Sequence, residues 1–262
     1  MATVGLQSRM PWEPRLPVSS GSGTWTPGAL GSALFDAWDA EDAGAVTQSS
    51  GSVSEWRSFR GLQAQQATGA NQPAYSATSF NGRPGITFNG TTNELTVTGV
   101  GTLPVGATEG EIIALLDQTA LPADTTARYA FSYGGNAGAA TNRAIRRAVS
   151  GGVNVVTGNV GNGTSGIITS AAPGDFSGRH VVRIRVSTTT GQADMDGAAG
   201  SATAVSGGPM TGSDFVRIGA NTTTTAENHW SGVMSWVGVT APLTNDQFAL
   251  LLQYLKTRGG VA

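Results

Sequence analysis

His180-Val181-Val182-Arg183-Ile184-Arg185-Val186-Ser187 alternates with a period of two. In an extended chain this puts Val182, Ile184 and Val186 on one face and Arg183 and Arg185 on the other. β-branched residues dominate the apolar face, as a half-buried strand requires. Working outward, the same kind of run recurs at Ala33–Trp38, Ser52–Trp56, Gly85–Phe88, Glu94–Val97, Arg128–Tyr133, Asn142–Val149, Gly152–Val156, Phe215–Ile218 and Gly232–Val239. Glu111–Leu116 is apolar on both faces beyond its first residue and predicts a fully buried strand. Asn81-Gly82, Asn89-Gly90, Asn162-Gly163 and Asp196-Gly197 separate the runs with residue pairs that accept the positive φ of hairpin turns. Many short strands between turn signals predict an all-β fold, a two-sheet antiparallel sandwich.

One helix closes the chain. Thr244 and Gln247 have capping-box spacing, and Phe248, Leu251, Leu252 and Leu255 recur at helical intervals. Lys256 and Arg258 fall in the last turn, where positive charge suits the helix dipole, and Gly259-Gly260 ends it.

Residues 1–27 differ from the rest: Pro11, Pro14, Pro17 and Pro27 punctuate a stretch without periodicity. Proline favours an extended path, so this reads as an N-terminal arm preceding one domain over residues 28–262. Trp12, Leu16 and Trp25 are its candidate anchors for attachment to a neighbouring subunit. A terminus without fixed structure is the alternative reading.

Composition narrows the partners. The 262 residues carry a net charge of −2, which offers nucleic acid or an anionic membrane no long-range attraction. No apolar run is long enough to cross a bilayer, and MATVGLQSRMPWEPRLP has no apolar core of a secretory signal. Cysteine is absent, so disulfides and thiolate metal sites are excluded. Of the 15 basic residues only Lys256 is lysine; Arg143, Arg146 and Arg147 form the densest basic group, expected at a solvated edge or a subunit interface.

Catalytic and metal patterns are sparse. Asp36, Asp39, Glu41 and Asp42 read as a solvated strand end, with Asp36 and Asp39 as weak calcium candidates. Asp194 and Asp196 have alternating-ligand spacing, but Asp196-Gly197 reads better as a turn. His180 and His229 read as structural. No G-x-S-x-G or P-loop pattern occurs, and the carboxylate spacing of glucanases is missing. The chain is therefore expected to be no enzyme. Trp38, Trp56, Trp230 and Trp236 lie in strand-like runs and are expected in the core.

Three segments carry a family resemblance: Ala33–Ala40 with Gly51–Arg57; Asn71–Tyr75 with Asn81-Gly82-Arg83-Pro84-Gly85-Ile86-Thr87-Phe88-Asn89-Gly90; and Trp230–Val237 with Leu243–Gln247 and Tyr254–Lys256. Their order resembles the laminin G-like, concanavalin A-like jelly-roll domains of bacteriophage structural proteins and bacterial surface proteins. Ser58 stands where that pattern often has Asp, and Asn89 where it often has Asp before Gly90. The resemblance implies a jelly roll and a virion structural or accessory role, as capsid decoration, head fibre or tail component. The arm would attach it to other virion proteins, in a homo-oligomer. A carbohydrate-binding module for host-surface glycans is the alternative.

Overall fold

A computed structural model describes residues 25–98, 103–104, 108–118, 126–134, 142–161, 166–169, 171–205, 215–221 and 228–262. In chain order the strands are β1 (Leu34–Asp39), β2 (Val46–Ser49), β3 (Ser52–Arg57), β4 (Gln63–Gln65), β5 (Ala74–Phe80), β6 (Arg83–Asn89), β7 (Leu95–Thr98), β8 (Gly110–Asp117) and β9 (Arg128–Gly134). Then follow β10 (Asn142–Ser150), β11 (Val153–Gly161), β12 (Gly166–Ile168), β13 (Arg179–Val186), β14 (Thr190–Met195), β15 (Ala198–Ala199), β16 (Thr203–Ala204), β17 (Phe215–Ile218) and β18 (Ser231–Thr240), closed by helix α1 (Asn245–Gly259).

The pairings are antiparallel and build two layers. In one, β14 pairs β13, β13 pairs β8, and β8 pairs β18. On its far side β18 meets β6 along its first half and β1 along its second. In the other layer, β2, β3 and β4 lead through β7, β17, β9 and β10 to β11 and β12. Among the described residues, a bridge from Ser52 to Ala74 links the layers at one edge, and an isolated parallel bridge from Tyr129 to His229 links β9 to the residues leading into β18. The all-β sandwich read from the alternating runs is the observed architecture.

Two apolar clusters explain why β8 shows no polar face. Ile112, Ala114 and Leu116 join Trp38, Trp56, Phe131 and Val182 between the sheets. Ile113 and Leu115 turn the other way and join Trp236, Leu251 and Leu255 beneath α1. The helix thus covers the outer face of this sheet, and every residue of β8 is buried. Trp38, Trp56, Trp230 and Trp236 are all at most 1% exposed, as expected for core residues. Arg183 and Arg185 do face away from Val182 and Ile184. Arg183 is nevertheless covered, because its guanidinium lies 3.9 Å over the Phe248 ring of α1 and pairs with Glu111.

A bulge in β18 sets up the corner described next. The register against β8 shifts between Met234 and Trp236, so Met234 and Val237 both face the sandwich while Trp236 faces the helix. Ser235, at the bulge, keeps its carbonyl and hydroxyl oxygens for partners outside the ladder.

The arginine trio lies otherwise than expected. Arg143 and Arg147 are 3% and 1% exposed. Arg143 reaches the Thr108 carbonyl at 2.7 Å; Arg147 donates to Asn154 Oδ1 at 2.7 Å and to the Thr126 carbonyl at 3.1 Å. Arg146 donates to Thr157 Oγ1 at 2.9 Å. Arg143 and Arg147 are interior ties, whose guanidinium groups reach backbone carbonyls outside the strand ladders, while Arg146 is half-buried.

Candidate functional site

The helix begins as its sequence dictates. The Thr244 hydroxyl accepts from the Gln247 amide, and the Gln247 side chain accepts from the Thr244 amide. It ends at Gly260 in the left-handed conformation, φ 60°. Leu251 and Leu255 are driven inward, which leaves Leu250, Gln253, Tyr254 and Thr257 along one flank. Trp25 packs against that flank, its ring edge-on to Tyr254 at 5.8 Å between centroids.

Two adjoining cavities meet at this corner. One, of about 540 Å³, is lined by Trp25, Leu250 and Tyr254 together with Glu41, Arg83 and Arg258. The second, of about 270 Å³, is lined by Phe59, Trp236, Asp39, Asp42 and Arg57. Thr26 and Tyr254 line both, so the two cavities adjoin across these residues and together make the groove beside α1.

Arg258 forms the floor. Its side chain is 3% exposed and its two terminal nitrogens donate to Asp39 at 2.8 and 2.6 Å. The same side chain donates to the Ser235 carbonyl at 2.9 Å and hydroxyl at 3.1 Å, the groups freed by the bulge. Glu41 lies 3.2 Å from Arg258 and 3.1 Å from Arg83. Burial alone would lower the Arg258 pKa; the hydrogen bonds and charge of Asp39, then Glu41, outweigh it and raise it. Asp39 and Glu41 keep 30% and 26% of their side-chain surface, so lone pairs remain for a ligand.

Of the acidic group at residues 36–42, Asp42 is exposed as a solvated strand end would be, Asp39 and Glu41 are half-buried, and Asp36 is not solvated at all. Asp36 is 1% exposed and accepts from Ser58 Oγ at 2.6 Å and from the amides of Ala37 and Arg60 at 2.9 Å each. Its burial raises its pKa against those hydrogen bonds. Asp39 faces the helix instead, so the two calcium candidates serve different partners. Among the described residues, no three His, Asp or Glu gather as metal ligands would. Asp194 pairs with Arg185 at 2.9 Å. Asp196 and Gly197 make the expected turn, with φ of 52° and 92°, and Asp196 holds His180 Nδ1 at 2.6 Å. Trp12 and Leu16 lie outside the described residues.

Sequence reasoning does not reach Tyr254, Arg258 or Phe59 as site residues. Arg258 carries the one available signal, an arginine rather than lysine in the last helical turn. A planar fork there can grip a carboxylate with two bonds.

No known protein family matches the sequence, and no curated protein does. Solved structures do resemble the fold. Trypanosoma rangeli sialidase in complex with 2,3-difluorosialic acid superposes with a TM-score of 0.57 at 15% identity, over 95% of this chain and 36% of that one. A second structure, of Trypanosoma rangeli sialidase, gives 0.55 at 14%, over 94% and 35%. An arabinofuranosidase complexed with arabinofuranosyl-alpha-1,2-xylobiose gives 0.55 at 14%, over 79% and 51%. The chain spans about a third of the sialidase and half of the arabinofuranosidase. These likenesses show a shared fold. They also overturn the expectation of no enzyme: the fold neighbours are glycosidases, so a missing glucanase spacing is no ground for excluding catalysis.

Proposed function

We propose that this chain is a lectin-like accessory protein of a bacteriophage particle, whose sandwich meets surface glycans at the groove beside α1 and whose N-terminal residues hold it to other virion proteins. The observation that carries the glycan reading is the lining of the groove: Trp25 and Tyr254 beside the half-open carboxylates of Asp39 and Glu41. Sugars offer an apolar C–H face and a hydroxyl-rich edge. A site that places an aromatic ring next to fixed acceptors suits both. Fold neighbours named for sialic acid and arabinofuranosyl ligands support a carbohydrate partner.

The particle assignment draws on the laminin G-like order of motifs and on the proline-rich segment with Trp12 and Leu16. Several copies on one particle would give many weak contacts a collective strength.

Two measurements test this. Full-length protein on a glycan array should retain binding that Trp25→Ala and Tyr254→Ala abolish; an array without any retained glycan overturns the groove. Gradient-purified particles should contain the chain by mass spectrometry, and removal of residues 1–24, which keeps Trp25 on Tyr254, should release it. Absence from the particles, or unchanged occupancy after the deletion, overturns the attachment.

A further inference from the structure

We infer that the groove takes an uncharged oligosaccharide of at least two sugar rings, and that Phe59 forms the second ring's platform. This rests on the glycan reading above and specifies its ligand.

The number of rings follows from shape. The larger cavity has its apolar wall in Trp25, Leu250 and Tyr254, and the smaller has its own in the exposed ring of Phe59, with Trp236 buried behind it. Thr26 and Tyr254 stand between them, so a ligand long enough to meet both walls passes over a shared rim. Phe59 is 72% exposed, the most open of the large apolar side chains among the described residues. Its backbone is pinned, its amide donating to the Ala37 carbonyl at 2.7 Å. A bulky ring held in water on a fixed turn is a surface that a partner can cover at little entropic cost.

The absence of ligand charge follows from pairing. Each guanidinium that lines the groove already faces a carboxylate: Arg83 faces Glu41 at 3.1 Å, Arg57 faces Glu55 at 2.7 Å, and Arg258 faces Asp39 and Glu41. An acidic sugar would have to displace one of these carboxylates, and Asp39, Glu41 and Asp42 would repel it at short range. Hydroxyl groups meet no such obstacle. They donate to the open lone pairs of Asp39 and Glu41 and accept from Arg83, whose side chain is 50% exposed.

The test is isothermal titration of the full-length chain with neutral monosaccharides, their di- and tetrasaccharides, lactose and sialyllactose. Tetrasaccharides should bind about tenfold or more tightly than their monosaccharides, the gain of a second linked contact. Sialyllactose should bind more weakly than lactose. Phe59→Ala should bring oligosaccharide affinity down to that of the single ring, with melting temperature unchanged. Equal affinity for one ring and four, tighter binding of sialyllactose, or indifference to Phe59→Ala overturns this inference and leaves the glycan groove standing. If no sugar of either kind binds, the glycan reading itself fails.

Discussion

The Ser58 hydroxyl donates a 2.6 Å hydrogen bond to the buried carboxylate of Asp36, tying the turn after β3 to the start of β1. Ser58 also accepts from the Leu62 amide at 2.8 Å, which closes that turn. Ser58→Ala should cost about 1–3 kcal/mol, because a buried charged acceptor loses a donor. Ser58→Asp should cost more at neutral pH, and part of that loss should return on acidification as one of two touching carboxylates takes a proton. Urea unfolding at about pH 5 and about pH 8 reads both effects.

Arg258→Ala should be the most damaging change at the groove. It leaves Asp39 and Glu41 without their shared cation and removes the Arg258 bonds to Ser235, whose carbonyl keeps only the Ala40 amide at 3.0 Å, a loss of about 3–5 kcal/mol. Arg258→Lys should recover little, since a single ammonium cannot span Asp39 and the bulge together. Chemical denaturation of the three proteins side by side checks the order.

The two histidines should give opposite pH dependence. Burial lowers the His180 pKa, but the Asp196 carboxylate and the Ser177 carbonyl outweigh it, so the folded value is raised. Its contribution is complete below the unfolded value of about 6.5 and is lost as pH rises through the folded one. His229 is lowered, by burial first, with Arg217 and Arg128 adding to it against the opposing charge of Glu94. Its neutral form fits the fold, so stability falls as pH drops below about 6.5. His180→Gln should therefore lose most at acid pH, with the deficit shrinking above neutrality. His229→Gln should flatten the acid side. Melting temperature against pH for each variant is the measurement.

Gly238 has no room for a side chain. A Cβ there would lie 2.3 Å from the Trp236 ring, inside the cluster beneath α1. Gly238→Ala should cost about 1–3 kcal/mol through displacement of that ring. Trp236 also lines the smaller cavity, so tryptophan fluorescence should shift as stability falls.

What the sequence discloses here follows physical range. The alternation of His180–Ser187 and the capping box at Thr244 are local, and both stand in the structure as read. The double burial of β8 is legible too, because a strand covered on both faces has nowhere to place a polar residue. The fate of individual charges is not. Lys256 and Arg258 read alike in the last helical turn; the fold leaves one partly exposed and sinks the other onto Asp39, 219 residues away in sequence. Arg143 and Arg147 look like surface charge in the sequence, yet carbonyls from distant segments receive them. Asp36 reads as solvated until Ser58, 22 residues on, folds against it. Tyr254 is a site residue only because Trp25 arrives beside it from the other end of the chain.

That last meeting makes the body of the molecule nearly a ring. With Trp25 lying on Tyr254 of α1, a linker from Ala262 back to Trp25 has only the last turn of α1 and the residues after it to span. A new opening at Gly151-Gly152, whose positive φ values mark a tight hairpin between β10 and β11, would then yield a circularly permuted chain with the same core.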